Sequence, residues 1–286
     1  MKLRPAYKKI GMLFSGGPAP SANTVISSVA LNFLDNGIPV IGFYRGYEFL
    51  QDFNINYPKI KKGVHYEELD YNITHVRNER GIYLKTSRAN PGKDIKALDD
   101  LQNAEKNKKL KNILDAFEYL KIGALISIGG DDTLKTANFL NLMGYPVIHI
   151  PKTIDNDYYG IPWTFGYWTA VDTAQKMMLN LKADAQATDS FFIVELMGRK
   201  AGWITYAAGI AAEAIMMVAA EDIDEDVLDI EVLVEKITNV ILARENNRRP
   251  YGVIAVSEGI VDKLPDEYKP KHTDKHGNIL YREAKI

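Results

Sequence analysis

The sequence contains a pair of aspartates whose spacing suits proton transfer. Asp155 and Asp157 lie two positions apart, directly after Lys152 and Thr153. A carboxylate can accept a proton from a hydroxyl group, whereas an ammonium and a hydroxyl group can bind the oxygens of an anion. The run Asp-Asn-Asp also favours a turn without any chemistry, so other stretches must decide between the two interpretations.

Two glycine pairs precede these aspartates, and each follows a predicted strand. The first pair, Gly16-Gly17, comes after the apolar residues 10–14 and before a segment with helical periodicity at 24–36. Glycines let the backbone approach a ligand closely, and the free amides of the following helix favour an anion. The pair lacks the lysine-serine ending of the P-loop and the third glycine of the dinucleotide motif. Alone, it therefore indicates either phosphate binding or a plain strand-helix turn.

The second glycine pair, Gly129-Gly130, is followed by two adjacent carboxylates, Asp131 and Asp132. Carboxylates repel a bare phosphate, but they fit a site in which a divalent cation lies between them and the phosphate. Either acid could instead be an N-cap residue that the helix dipole favours. Two acids together after a glycine pair favour the binding site.

The predicted elements place these residues at the carboxyl ends of strands. Strands predicted over 9–14, 124–128 and 145–150 each end where one of the three stretches begins. A short strand over 82–84 is also predicted to end in a polar turn carrying Arg88, a candidate for anion binding. Because open α/β sheets bind ligands at the carboxyl ends of their strands, this alternation predicts an α/β fold with its site at that edge.

Composition restricts the classes of function. The chain has 286 residues, a net charge of -2 and no cysteine, which excludes disulfides, thiolate metal sites and cysteine nucleophiles. Nothing in this charge favours nucleic acid or an anionic membrane as a partner. The basic start is followed by too short an apolar run for a signal peptide or an anchor, so we expect a cytoplasmic protein. His272 and His276 fall in a polar loop, where metal binding is not expected.

Five stretches, in the same order, resemble the phosphofructokinase family. They are Gly16-Gly17-Pro18-Ala19-Pro20 with Asn23, Gly129-Gly130-Asp131-Asp132-Thr133, Pro151-Lys152-Thr153-Ile154-Asp155-Asn156-Asp157, Glu195-Leu196-Met197-Gly198-Arg199, and Ser257-Glu258-Gly259. The resemblance covers residues 8–262, and the third stretch is the most specific. It implies two doubly wound α/β lobes of phosphofructokinase type. Residues 1–165 would form the lobe for the phosphoryl donor and magnesium, and residues 166–286 the lobe for the sugar phosphate.

The resemblance implies transfer of a phosphoryl group to the 1-hydroxyl of fructose 6-phosphate, giving fructose 1,6-bisphosphate. Asp155 would accept the hydroxyl proton, and Asp157 would orient the sugar or tune Asp155. Thr153 would hold an oxygen of the substrate or of the moving phosphoryl group, and Mg²⁺ would be held near Asp131.

The resemblance also implies which residues bind the substrates. Lys152 and Arg199 are expected to be catalytic as well, because their charge would stabilise the phosphoryl oxygens in transfer. Glu258 would hydrogen-bond the sugar hydroxyls. The full set expected to bind substrates is Gly16, Gly17, Arg88, Asp132, Thr153, Asp155, Met197, Gly198, Arg199 and Glu258.

Two positions bear on the choice of phosphoryl donor. ATP-using relatives commonly carry glycine where Asp132 and Lys152 stand, whereas the pyrophosphate-using branch typically carries aspartate and lysine. A carboxylate at Asp132 would crowd the α-phosphate of a nucleotide, and an ammonium at Lys152 suits a compact anion. The chain therefore resembles the pyrophosphate-dependent 6-phosphofructokinase branch, with pyrophosphate and fructose 6-phosphate as the expected substrates. The alternative is an ATP-dependent 6-phosphofructokinase.

The sequence departs from the family pattern in its later part. Members usually continue well past Ile286, and that part brings basic residues for the sugar phosphate. We therefore expect the C-terminal part of the second lobe to be missing. An inactive or truncated partner chain of such an enzyme, and a kinase of the wider Gly-Gly-Asp superfamily acting on NAD or a lipid, stay open as alternatives. The resemblance also implies a homo-oligomer, either a dimer or a tetramer.

Overall fold

The computed structural model describes residues 9–224 and 226–268. The chain forms two compact units. The first contains the described chain up to Thr153 together with Gly160–Gly166, and the second contains Ile154–Tyr159 and the described chain from Tyr167 onward. Gly166, the last residue of the first unit, directly follows the lobe boundary expected between 165 and 166. The predicted loop with His272 and His276 lies outside the described residues.

The first unit is built on a five-stranded sheet with the order β3-β2-β1-β4-β5. Its strands are β1 (Lys9–Ser15), β2 (Val40–Phe43), β3 (Tyr66–Leu69), β4 (Ile122–Gly129) and β5 (Val147–Pro151). Only β3 is antiparallel to its neighbour. All residues of β2 and β4 are buried, because helices cover both faces of the sheet, and such strands appear in the sequence as continuous apolar runs.

Helices on the two faces give this sheet a doubly wound form. They are α1 (Ala22–Asp35), α2 (Lys108–Tyr119) and α3 (Asp131–Leu142), with 3₁₀ helices at Tyr71–Val76 and Leu98–Gln102. Ile26 of α1 belongs to the core on one face, whereas Phe117 of α2 and Leu140 of α3 belong to the core on the other face. The winding reverses between β1 and β4, which is where open α/β sheets form a binding crevice.

The strand predicted over 82–84 is wrong. The chain there forms a turn in which Lys85 N donates to Ile82 O at 2.9 Å, and Lys85 has a φ of 56°. The backbone N of Tyr83 donates to the side chain of Asn23 at 2.6 Å rather than to a neighbouring strand. Three apolar residues predicted a strand, but a turn and an asparagine side chain satisfy the backbone instead.

The second unit contains a three-stranded parallel sheet with the order β6-β8-β7. Its strands are β6 (Phe191–Leu196), β7 (Met216–Val218) and β8 (Gly252–Ser257). Its helices are α4 (Tyr167–Thr188), α5 (Trp203–Ala211) and α6 (Ile230–Asn246), with 3₁₀ helices at Ala220–Asp222 and Glu258–Lys263. Met178 and Ile204 of α4 and α5 pack around Val253, whereas Ile230 of α6 packs in a separate cluster with Val256.

Within residues 9–224 and 226–268, no helix is both long enough and apolar enough to cross a membrane.

Candidate active site

Three strand ends lie side by side in the first unit. The register of β1, β4 and β5 pairs Ser15 with Gly129, and Gly129 with Pro151. Neighbouring strands are about 4.8 Å apart, so the residues that follow these three strands share one edge of the sheet. This edge holds both glycine pairs, the acids after the second pair, and Lys152.

Glycine is required where β1 and β4 end. A Cβ at Gly129 would lie 2.6 Å from Ser15 O and 2.6 Å from Thr133 Oγ1. Gly16 has a φ of 94°, and a Cβ added at this position would lie 3.7 Å from Gly130 N. The two glycine pairs therefore approach each other closely, with backbone rather than side chains at the surface between them.

Lys152 extends its side chain to the first glycine pair. Its Nζ lies 3.7 Å from the position that a Cβ at Gly17 would occupy. Its backbone N donates to Gly129 O at 2.9 Å, which continues the β4–β5 ladder by one residue. An anion bound to the amides of this glycine pair would therefore also meet the ammonium group.

The loop before Arg88 is hydrogen-bonded to the same glycine pair. Gly16 N donates to Ser87 O at 2.8 Å, and Thr86 Oγ1 donates to Gly16 O at 2.6 Å. Ser15 Oγ also donates to Ser87 O at 3.2 Å. These bonds hold exposed Arg88 beside the glycine loop, so the structure brings Gly16, Lys152 and Arg88 to one place.

The two acids occupy the first turn of α3. The N-cap is Gly130, which has no side chain to cap the helix, so neither Asp131 nor Asp132 is the N-cap residue. Both are exposed. Among the described residues, no three His, Cys, Asp or Glu side chains form a group that could hold a metal ion. Mg²⁺ commonly takes one or two carboxylates and completes its shell with substrate phosphates and water, and Asp131 fits that mode.

A histidine that the sequence reasoning missed lies below this edge. His149 on β5 places Nε2 3.1 Å from Gly129 O and Nδ1 3.3 Å from Ser127 Oγ. Burial lowers the pKa of His149 to about 4, although the Gly129 carbonyl and the charge of Asp131 oppose this shift. The only signal in the sequence was a histidine inside an apolar strand, which is usually a core residue.

The stretch with the paired aspartates crosses from one unit to the other. Thr153 ends a segment of the first unit, whereas Asp155 and Asp157 belong to the second unit. Between them, Asn156 is 8% exposed and has a φ of 55°. Asparagine tolerates this left-handed conformation, so the run does form a turn. Ile154 anchors it by packing in the core of the second unit. Asp155 is half-buried and Asp157 is exposed.

Two neighbouring strand ends form the candidate site of the second unit. Leu196 at the end of β6 pairs with Ser257 at the end of β8. Gly198 has a φ of 132°, and its backbone N donates to Glu258 Oε1 at 3.3 Å. A Cβ at Gly259 would overlap Arg199 O. The Met197–Arg199 loop and Glu258 are therefore brought together.

Arg199 has an acidic neighbour that the sequence reasoning also missed. Its Nε lies 3.8 Å from Asp262 Oδ2, with both side chains about half exposed at 47% and 49%. Asp262 lies in the 3₁₀ helix after Glu258, and no motif marks it. Met197 is also exposed, at 57%. The guanidinium thus has a carboxylate near Nε, while its terminal nitrogens suit an anion.

Comparison with known proteins agrees with this architecture. The sequence model of the phosphofructokinase family matches residues 9–284. The pyrophosphate–fructose 6-phosphate 1-phosphotransferase of Thermotoga maritima is 34% identical over 98% of this chain and 64% of its own length. The ATP-dependent 6-phosphofructokinase 2 of Streptomyces coelicolor is 35% identical over 88% of this chain and 65% of its own length. The chain thus spans just under two thirds of the length of these relatives.

The fold is also that of solved phosphofructokinases. The structure of Pichia pastoris phosphofructokinase superposes with a TM-score of 0.69 at 20% identity, covering 88% of this chain and 27% of that one. The pyrophosphate-dependent phosphofructokinase of Nitrosospira multiformis gives 0.67 at 20% identity, covering 91% of this chain and 62% of that one. The predicted α/β fold of this type is confirmed, and the chain belongs to the phosphofructokinase family.

Proposed function

We propose that this chain transfers a phosphoryl group from pyrophosphate to the 1-hydroxyl of fructose 6-phosphate, giving fructose 1,6-bisphosphate and phosphate. The observation that carries the proposal is the position of Lys152 Nζ against the first glycine pair. Membership of the phosphofructokinase family supports the reaction class. Relatives at the same level of identity are named for either pyrophosphate or ATP, so the choice of donor rests on Asp132 and Lys152.

The first unit supplies the groups that would bind the phosphoryl donor. The amides of Gly16 and Gly17 and the charges of Lys152 and Arg88 would hold the phosphate oxygens and stabilise charge on the leaving phosphate. Asp131 would help to hold Mg²⁺, which, when bound, neutralises negative charge on the donor oxygens. Phosphoryl transfer needs mainly this positioning and charge stabilisation from the protein.

The second unit supplies the groups that would act on the sugar. The 1-hydroxyl oxygen forms a bond to phosphorus as the bridging P–O bond breaks, and the hydroxyl proton moves to Asp155. Asp157 would orient the sugar, and Glu258 would bind its hydroxyls. Thr153 would hold an oxygen of the moving group, since covalent geometry keeps its Cα within about 7 Å of the Cα of Asp155. Arg199 would stabilise the phosphoryl oxygens.

The assignment of the base is tested with Asp155→Asn. This change keeps the shape of the side chain but removes its capacity to accept the proton at neutral pH. The expected loss of turnover is on the order of 10² to 10⁴-fold, with an unchanged circular dichroism spectrum. Turnover close to that of the unchanged protein would refute the role of Asp155.

The choice of donor is tested by measuring fructose 1,6-bisphosphate formation with pyrophosphate or ATP, in the presence of Mg²⁺. We expect pyrophosphate to be preferred, and a strong preference for ATP would overturn the proposal. Lys152→Gly should lower kcat/KM for pyrophosphate about 10- to 100-fold, as expected when a charged hydrogen bond is lost. Asp132→Gly should improve the use of ATP, because it removes the carboxylate that crowds a nucleotide.

Two control substitutions match these changes. Lys121→Gly removes an exposed ammonium at the opposite end of β4, where the φ of 57° already suits glycine. Asp99→Gly removes an exposed carboxylate from the first turn of another helix. Both should leave the ratio of pyrophosphate to ATP activity unchanged.

A chain that is inert alone, and active only with a second polypeptide, would instead support the partner-chain alternative.

A further inference from the structure

A row of three polar side chains crosses the interior of the first unit and ends at its candidate site. Tyr47 OH lies 3.2 Å from Ser127 Oγ, which lies 3.3 Å from His149 Nδ1. His149 Nε2 lies 3.1 Å from Gly129 O, the last carbonyl of β4. Tyr47 and Ser127 are fully buried. Because burying polar groups is costly unless they are hydrogen-bonded, the row needs each of these bonds.

The chemistry of the end group fixes the direction of every hydrogen bond in the row. Gly129 O can only accept, so His149 Nε2 carries the proton and donates to it. Burial lowers the pKa of His149 to about 4, so at neutral pH the ring is uncharged and Nδ1 accepts from the Ser127 hydroxyl. Ser127 Oγ in turn accepts from Tyr47. All three donors therefore point towards Gly129.

The carbonyl at the end of the row belongs to a peptide whose other side faces the first glycine pair. Gly129 C=O and Gly130 N–H lie in one rigid plane and point in opposite directions. Gly130 N lies 3.7 Å from the position that a Cβ at Gly16 would occupy. A peptide between two glycines can rotate more easily than any other, so its orientation needs an external support. Gly129 O accepts from both His149 Nε2 and Lys152 N.

We propose that His149 is a positioning residue that holds the Gly129–Gly130 peptide so that the Gly130 amide is directed at the phosphoryl donor. This inference rests on the proposed function, since it assigns the Gly130 amide to the binding of donor phosphates. Ser127 contributes by keeping the proton on His149 Nε2. Because the row lies within the first unit, it should affect affinity for the phosphoryl donor and leave affinity for fructose 6-phosphate unchanged.

The test compares four variants of the full chain. His149→Phe removes the donated hydrogen bond but keeps a ring, whereas His149→Gln can restore a donor near the position of Nε2. Ser127→Ala removes the group that fixes the ring proton and gives a second, milder perturbation. Tyr47→Phe, at the far end of the row, is the control. Thermal unfolding identifies any variant that has lost its fold.

Binding is measured by calorimetry with pyrophosphate and Mg²⁺, with ATP and Mg²⁺, and with fructose 6-phosphate. We expect His149→Phe to weaken binding of the phosphoryl donor about 3- to 10-fold, as for one hydrogen bond. Ser127→Ala should weaken it less, and His149→Gln and Tyr47→Phe should resemble the unchanged protein. Spectra of protein labelled with ¹⁵N-glycine should show the Gly130 amide shifted in His149→Phe.

The outcomes separate the inference from the proposed function. If the unchanged protein binds neither pyrophosphate nor ATP, the proposed function fails and the inference fails with it. If the unchanged protein binds a phosphoryl donor, but folded His149→Phe and Ser127→Ala bind it equally well, only the inference is overturned. An equal loss for fructose 6-phosphate would also overturn it, because it would show a general structural role.

Discussion

Replacing Gly129 with alanine should distort the edge of the sheet that carries the candidate site, whereas the same change at Gly130 should not. A Cβ at Gly129 would lie 2.6 Å from Ser15 O and 2.7 Å from Thr133 Cβ. At Gly130, the nearest heavy atom outside the adjoining residues is Lys152 O, at 3.8 Å. The φ of Gly130 is -82°, which alanine adopts without strain. The two substitutions therefore differ mainly in the space available.

The expected cost follows from these distances. Carbon atoms make favourable contacts at about 3.5–4.0 Å, so β1 and α3 must separate by about 1 Å to admit the methyl group at Gly129. Overpacking of this kind costs about 1–3 kcal/mol. Alanine at Gly130, an N-cap position, costs about 0.5–1 kcal/mol, because glycine is the better N-cap residue. The difference is therefore about 1 kcal/mol, which for a unit of this size corresponds to about 2–4 °C in Tm.

Thermal unfolding and donor-binding calorimetry of both variants make the comparison. We expect Gly129→Ala to have a Tm about 2–4 °C below that of Gly130→Ala and to bind the phosphoryl donor more weakly, because the displaced groups adjoin both glycine pairs. Equal Tm values and equal affinities for the two variants would refute the reasoning. Such a result would mean that β1 and α3 do not approach Gly129 as closely as these distances require.

Three further predictions concern single groups. Burial lowers the pKa of His149 to about 4 from its ordinary 6.5. As the pH falls below 6.5 the unfolded chain therefore takes up the proton before the folded chain does, and the free energy of unfolding should decrease until the pH reaches about 4. Denaturant unfolding should show a loss of up to about 3 kcal/mol that His149→Phe lacks. Asn23→Ala leaves Tyr83 N without its bond and should cost about 1–3 kcal/mol, measured in the same way. Glu258→Ala should raise KM for fructose 6-phosphate while KM for pyrophosphate stays unchanged.

The sequence predicted the buried strands well because their environment is uniform. All eight residues of β4 are buried, so its apolar run identifies it without knowledge of its neighbours. The apolar spacing over 98–120 predicts a long helical stretch whose charged centre is either a solvated face or a break between two helices, and the structure shows a break. There, Asn107 is buried and donates to Leu101 O at 2.6 Å, just before α2 begins. Local composition could indicate the break but not the tertiary contact that fixes it.

The strand prediction over 82–84 failed because a long-range hydrogen bond, rather than a neighbouring strand, satisfies the backbone there. Residues 82–84 contain enough apolar character for a short strand, yet Asn23, sixty positions earlier, takes the backbone N of Tyr83. No periodicity within a short window reveals such a partner. The same limit applies to His149 and Asp262. They are of interest because of their contacts with Gly129 O and Arg199 Nε, and no sequence motif indicates those contacts.

The candidate site could be predicted in its parts but not in its assembly. Glycine pairs and acids after apolar runs indicated ligand-binding turns. That Ser15, Gly129 and Pro151 are neighbours depends on the strand order, in which β1 pairs with β4 across more than a hundred residues of intervening chain. The family resemblance implied doubly wound lobes but not this order, and short-range patterns carry no information about which strands pair.

Overall similarity to known relatives does not select the phosphoryl donor. Relatives with 34% and 35% identity are named for pyrophosphate and for ATP respectively. Under the proposed function, discrimination between the two donors depends on the side chains beside the groups that hold the phosphates. In this chain we assign that role to two side chains, Lys152, whose Nζ approaches Gly17, and Asp132, which lies in the first turn of α3. Substitutions at only Asp132 and Lys152 therefore test donor choice more directly than overall sequence identity does.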